Sequence, residues 1–247
     1  MGLLRACRLV GQGLLQLLYP GVCLVCERQL PPGEGPICPA CRTLLLADQR
    51  PTCPRCAGTI GPFTNVANGC TGCRGLRFFF DGVLRIGPYE GLLREVIPRL
   101  KHWAGEGLAE ALGALWAAHG EAALRELAAD LVIPVPLHWV RQLARGYNQS
   151  EGLARELAAR LHLPCRPGWL RRIRATPKQT EQTPSRRRTN VRGAFRVSVR
   201  AALAGQTVLL VDDVLTTGST ASEAARALRR AGARRVVVAV LSRAEKG

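Results

Sequence analysis

Near the carboxy end, Val208-Leu209-Leu210-Val211-Asp212-Asp213-Val214-Leu215-Thr216-Thr217-Gly218-Ser219-Thr220 joins an apolar run, two adjacent acids and a hydroxyl-rich loop around a glycine. This order predicts a buried strand, a tight bend and a helix that begins at about Ser219. In an open parallel sheet, ligands gather beyond the carboxyl ends of the strands. A helix amino terminus offers free N–H groups and the positive end of its dipole, which suits a phosphate. Thr216, Thr217, Ser219 and Thr220 add hydroxyl donors, and Gly218 lets the backbone approach a ligand closely. Asp212 and Asp213 are then placed to hold sugar hydroxyls or, indirectly, a magnesium ion. An ordinary helix cap needs one Ser or Thr and leaves the paired acids unexplained.

The second constellation is made of sulfur. Eight of the ten cysteines form four Cys-x-x-Cys pairs: Cys23/Cys26, Cys38/Cys41, Cys53/Cys56 and Cys70/Cys73. A tight turn presents both sulfurs of such a pair to one tetrahedral ion, and two pairs complete a four-sulfur zinc site. Eleven residues separate Cys26 from Cys38 and thirteen separate Cys56 from Cys70, close to zinc-ribbon spacing. Two structural zinc sites follow, with sequential and interleaved pairing equally open to the spacing. A disulfide framework would require a secretory leader. Residues 1–20 are interrupted by Arg5, Arg8, Gln12 and Gln16, and no small-residue cleavage site follows them. Their leucines fit an amphipathic helix over 1–19 better. No run of eighteen apolar residues predicts a membrane span, and reduced thiols imply a cytoplasmic setting. Cys7 and Cys165 lie outside the pattern and read as small buried hydrophobes.

Composition fits a folded chain with an unusual charge. Of 247 residues 47% are apolar, which excludes a disordered tail. Lys and Arg number 35 against 18 acids, a net charge of +17, so a polyanionic partner is expected. Between residues 141 and 200 there are fifteen basic residues and three acids. That excess suits single-stranded nucleic acid, with Arg141, Arg145, Arg171, Arg172, Arg186, Arg187, Arg188 and Arg192 on phosphates. Tyr147 and Trp169 are the stacking candidates. The plainer reading is a solvated basic face.

The elements that must position these groups follow from texture. Residues 20–75 are rich in Pro, Gly and Cys and read as two consecutive zinc ribbons whose folding energy comes mostly from metal. A larger domain over 76–247 follows. A strand or hairpin is expected over 78–86, helices over 91–103 and 107–129, and a buried strand over 130–136. A helix over 149–161, a strand over 207–213, a helix over 219–231 and a strand over 235–241 complete the pattern. Strands alternating with helices predict a mostly parallel α/β sheet.

At the acid-and-hydroxyl motif, Asp212 to Thr220, the chain resembles the phosphoribosyl pyrophosphate (PRPP) motif of type I phosphoribosyltransferases. Pro134-Val135-Pro136-Leu137-His138, Arg145-Gly146-Tyr147-Asn148-Gln149-Ser150 and Asn190-Val191-Arg192-Gly193-Ala194-Phe195 narrow the resemblance to the ComF family of competence and DNA-uptake proteins. The resemblance implies a hooded, mostly parallel five-stranded sheet behind an amino-terminal double zinc ribbon. It implies PRPP with magnesium at Asp212, Asp213, Thr216, Thr217, Gly218, Ser219 and Thr220, with Val135, Pro136 and Leu137 meeting the diphosphate. Residues 174–189 would form the closing loop, and Lys101 matches a family lysine, although His102 stands where the family has an aromatic. Other DNA-uptake proteins become candidate partners. Two functions follow: an uptake factor that binds single-stranded DNA and PRPP, or a metabolic phosphoribosyltransferase with an unidentified acceptor. A zinc-stabilised scaffold with a vestigial pocket is a third.

Overall fold

The computed structural model describes residues 21–174 and 191–245. The expected helix over 1–19, Cys7, Arg186, Arg187, Arg188 and most of the expected closing loop lie outside the described residues. The chain divides into two compact units, Met1–Leu44 and Leu45–Gly247.

The first unit carries the first cysteine ribbon. An antiparallel bridge joins Val22 to Gln29, and α1 (Pro39–Leu45) begins between Cys38 and Cys41.

The second unit is organised by four apolar strands: β1 (Gly82–Pro88), β2 (Leu131–Pro134), β5 (Thr207–Leu215) and β6 (Arg235–Arg243). Their order is β1-β6-β5-β2 and every pair is parallel. Successive residues of β5 and β6 are buried, so both faces of the sheet are covered, as continuous Val/Leu runs require. The fifth strand implied by the resemblance is reduced to one parallel bridge, Val132 to Cys165. Pro164 and Pro167 flank that bridge and cannot donate to a ladder. A short antiparallel pair, β3 (Leu170–Arg172) and β4 (Phe195–Val197), stands apart from the main sheet.

Helices connect the strands. They are α2 (Gly91–Arg99), α3 (Glu106–His119), α4 (Glu121–Glu126), α5 (Trp139–Arg145), α6 (Gln149–Leu161) and α7 (Ser219–Arg230). The region expected as one or two helices breaks at Gly120 into α3 and α4. α5 had no counterpart in the sequence reading. α3 and α6 approach so closely that a β-carbon on Gly113 would sit 3.0 Å from the Leu153 Cα.

The second cysteine ribbon belongs to this unit. Ala57 lies in the main core with Phe80 and Val83, and the Val83 N–H donates to the Pro54 carbonyl at 3.2 Å. Arg85, its side chain 1% exposed, bonds Asp48 at 3.0 Å, the Thr59 hydroxyl at 2.6 Å and Glu245 at 2.6 Å.

Overpacking the α3–α6 contact should destabilise the sheet domain. Gly113→Leu is expected to cost about 2 kcal/mol and to lower the Tm by about 4–8 °C in a thermal melt. Gly107→Ala, on the same helix with open space around it, should leave the Tm unchanged or slightly raised.

Candidate functional site

β5 stays buried through Val211 and then delivers the two acids at the mouth of the sheet. Asp212 is half-buried; its Oδ1 accepts from the Ser150 hydroxyl at 3.0 Å and from the Asp213 N–H at 2.9 Å. Asp213 is 7% exposed; its Oδ2 accepts from Gln149 Nε2 at 3.3 Å, and Lys101 Nζ lies 3.3 Å away. Gln149 and Ser150 open α6, where Asn148 caps the helix by accepting from the Ser150 N–H. The Asn148 amide also donates to the Val135 carbonyl at 3.1 Å. One polar junction thus links the acids, the start of α6 and the loop after β2.

Electrostatics at the acids are tense. Burial, then the neighbouring Asp213 charge, pushes the Asp212 carboxyl up to about 8, against the pull of the Asp213 N–H and the Ser150 hydroxyl. Besides the Lys101 ammonium, the Arg145 guanidinium interacts electrostatically with Asp213 and that of Arg172 with Asp212.

The loop beyond the acids is built as a cradle. Gly218 adopts φ 75°, which a side chain would strain, and caps α7. A β-carbon there would also lie 3.0 Å from the Phe78 ring. Thr217 and Ser219 share a hydroxyl–hydroxyl bond of 2.8 Å, and Thr216 and Thr220 are half-buried beside them. A cleft of about 320 Å³ opens alongside, lined by Thr217, Ser219, Phe79, Arg77, Arg192 and Arg226 among others. An adjoining cleft of about 170 Å³ shares Arg226 and adds Arg196 and Arg230.

The loop after β2 runs through Val135, buried, with Pro136 and Leu137 half-buried. His138, the last residue of that segment, is buried at 8% exposure. Its Nδ1 has no hydrogen-bond partner among the described residues.

The cysteines separate into sequential sites. Cys23, Cys26, Cys38 and Cys41 form one group and Cys53, Cys56, Cys70 and Cys73 the other, each with all four sulfurs within 4.8 Å of one another. A tetrahedron with Zn–S bonds of about 2.3 Å has edges of about 3.8 Å. The Cys26–Cys38, Cys53–Cys73 and Cys70–Cys73 sulfur separations are each 3.8 Å, and Cys56–Cys70 is 3.5 Å. Both groups therefore fit zinc. Within the second group, burial raises Cys56 and Cys73, whereas N–H donors from Cys70, Arg55 and Cys56 outweigh burial at Cys53 and bring it to about 7.

The described residues expected to contact nucleic acid differ in exposure. Tyr147 is no stacking platform: its ring is buried, and its hydroxyl donates to the Leu100 carbonyl. Trp169 is half-buried against the core with the Arg166 guanidinium over its ring at 5.6 Å. Arg145 is half-buried and donates to Gln149 Oε1 at 2.6 Å, joining the acid network. Arg172 stacks over Phe195 at 5.5 Å. Arg141 is half-buried, while Arg171 and Arg192 are exposed. Alongside Phe63 and Phe79, two tryptophans face solvent: Trp139, 63% exposed on α5, and Trp103, 85% exposed after α2. Their only sequence signal was an aromatic beside a basic residue, His102-Trp103 following Lys101 and Trp139 preceding Arg141.

Comparison with known proteins gives relatives for both parts of the chain. Residues 147–247 match the phosphoribosyl transferase domain family, and residues 14–74 match the double zinc ribbon domain family. DNA utilization protein YhgH of Escherichia coli O157:H7 is 32% identical over 230 residues, covering 92% of this chain and 99% of that protein. Competence protein F of Haemophilus influenzae is 34% identical over 116 residues, 47% of this chain and 51% of that one. Among solved structures, glutamine PRPP amidotransferase from B. subtilis, complexed with ADP and GMP, aligns at a TM-score of 0.40 with 22% identity. That alignment covers 58% of this chain and 30% of the amidotransferase chain.

Relieving the crowded carboxylates should stabilise the ligand-free protein. Asp212 holds its proton more tightly when folded, so wild-type stability falls as pH rises from about 4 towards about 8. Asp212→Asn is expected to raise the Tm by about 2–4 °C at pH 8, with the gap closing towards pH 4 in melts run across that range.

Proposed function

The chain belongs to the ComF family of competence and DNA-uptake proteins, and from that premise we propose that it binds PRPP with magnesium at the β5–α7 loop and single-stranded DNA on its arginine-rich face. It joins a double zinc ribbon, whose two four-cysteine groups fit zinc, to a type I phosphoribosyltransferase domain with a parallel sheet. No helix among the described residues is long and apolar enough to cross a membrane. Thiolate sites of this kind operate in a reducing compartment, the cytoplasm in this reading.

The observation that carries the reading is the meeting of Asp212, Asp213, Ser150, Gln149 and Lys101 at the mouth of the hydroxyl-rich loop. The acids would accept from the ribose hydroxyls, with Gln149 and Ser150 fixing their orientation. Backbone N–H groups from Thr216 to Thr220 would take the 5-phosphate at the start of α7. Val135, Pro136 and Leu137 would meet the diphosphate, where the unpartnered His138 Nδ1 is an available polar group. Lys101 would exchange part of its pairing with Asp213 for the diphosphate. Magnesium, when bound with the ligand, supplies positive charge to the diphosphate and relieves the two carboxylates.

A single strand would use the exposed Arg171 and Arg192 and the Arg196 and Arg230 of the cleft beside α7. Trp139 offers the stacking surface that Tyr147 does not. The transferase reading is favoured by the carboxylate pair at the loop, where burial and the Asp213 charge raise the Asp212 carboxyl, the direction a general base needs.

Titration calorimetry of PRPP with magnesium tests the pocket. The wild type should bind, and Asp213→Asn should weaken binding about tenfold or more while the Tm is kept. Release of diphosphate with an added nucleobase would mark the transferase reading, and no binding at all would reject the pocket. For the strand, four phosphate contacts should weaken oligonucleotide binding about 50-fold between about 50 and 200 mM salt. Arg171→Ala combined with Arg192→Ala should flatten that slope.

A further inference from the structure

We propose that Arg243 is a phosphate-site residue lying behind the β5–α7 loop, and that it makes the second cysteine centre part of the ligand site. The inference rests on the reading that the loop receives a phosphate. Arg243 closes β6, pairs in register with Leu215, and is 7% exposed. Its Nη1 donates to the Leu215 carbonyl at 3.0 Å and to the Thr216 and Ala244 carbonyls. Its Nε donates to the Cys56 carbonyl at 3.1 Å. Among the described residues these partners are neutral carbonyl oxygens, and no carboxylate pairs with the guanidinium. A buried cation in that position is short of negative charge.

Two anions would supply it. Four thiolates on one zinc leave a dianion, and Cys56 is one of the four. A phosphate monoester in the loop is close to a dianion as well. Arg243 would thus be the counter-charge shared between metal centre and ligand.

It also sets donor geometry. In a trans peptide the carbonyl of one residue and the N–H of the next point in opposite directions. Holding the Leu215 and Thr216 carbonyls on the guanidinium therefore turns the Thr216 and Thr217 N–H groups away from Arg243, towards the side a phosphate would occupy. Donors fixed before the ligand arrives need no reorganisation.

A second connection runs in parallel. Arg55 donates to the Cys73 carbonyl at 3.2 Å and lies over the Phe78 ring at 5.5 Å. Phe78 packs on the cysteine group and closes against Gly218. The ribbon therefore braces the loop at Leu215–Thr216 and again at Gly218.

The test uses the full zinc-loaded chain with ribose 5-phosphate, ribose and PRPP–magnesium in calorimetry, with zinc content and Tm measured on each sample. Arg243→Met should lose about tenfold or more in affinity for ribose 5-phosphate while keeping two zinc ions per chain. Arg243→Lys, which restores the charge without the fork, should recover part of that loss. A folded Arg243→Met or Arg243→Lys with wild-type affinity overturns the proposal. Should Arg243→Met fail to fold, Arg243→Lys and the wild type stripped by a chelator decide it. Affinity that falls with zinc content supports the proposal, and unchanged affinity after zinc loss overturns it. A wild type that ignores ribose 5-phosphate altogether rejects the parent reading instead.

Discussion

Two like charges on consecutive residues, released at the end of a strand buried on both faces, are the constraint around which the sheet domain is arranged. Ionising both carboxylates there is unfavourable, and the surroundings answer in three ways. Asp212 takes a hydroxyl and an N–H, Asp213 takes an amide and an ammonium, and burial with its neighbour raises the Asp212 carboxyl. The groups that do this arrive from distant sequence: Lys101 after α2, Gln149 and Ser150 at the start of α6. Parallel strands make the convergence possible, because they bring the loops after β2 and β5 to the same edge.

The cysteine ribbons meet a different limit. A segment of this size with little apolar surface cannot build its own core, and metal ligation supplies most of its folding energy. The second ribbon adds a borrowed core. Ala57 enters the apolar cluster of the sheet, and Thr59 is held by Arg85 and Glu245, both anchored on the sheet side. The described part of the first ribbon stands in a separate compact unit. Two copies of one motif therefore have unlike surroundings, although their spacings are almost equal.

Much of this was legible in the residues, and the exceptions share a cause. Periodicity and apolar runs located β5, α6, α7 and β6 because those signals are local. Cysteine spacing identified the ligands but not their pairing, which depends on where two turns meet in space. Tyr147 misled because an aromatic between Arg145 and Asn148 looks exposed, and only the approach of Leu100 and Gly105 encloses it. Trp139 and Leu143 lie on a seven-residue helix whose apolar side chains face solvent, so the usual link between hydrophobicity and burial fails there. The fifth strand shrank to a bridge through two prolines whose effect depends on pairing with Val132. Arg243 was invisible as a site residue, since nothing in its neighbourhood along the chain mentions Cys56 or Thr216.

Sequence separation gives that last contact a temporal meaning. Arg243 reaches Cys56 across 187 positions, and Glu245 reaches Thr59 across 186. During synthesis the second ribbon leaves the ribosome well before the strand that will grip it. Closing so wide a loop costs conformational entropy, so contacts between the ribbon and β6 form late relative to those within the ribbon. The loop after β5 then acquires its final shape in the same event that seats the ribbon against β6.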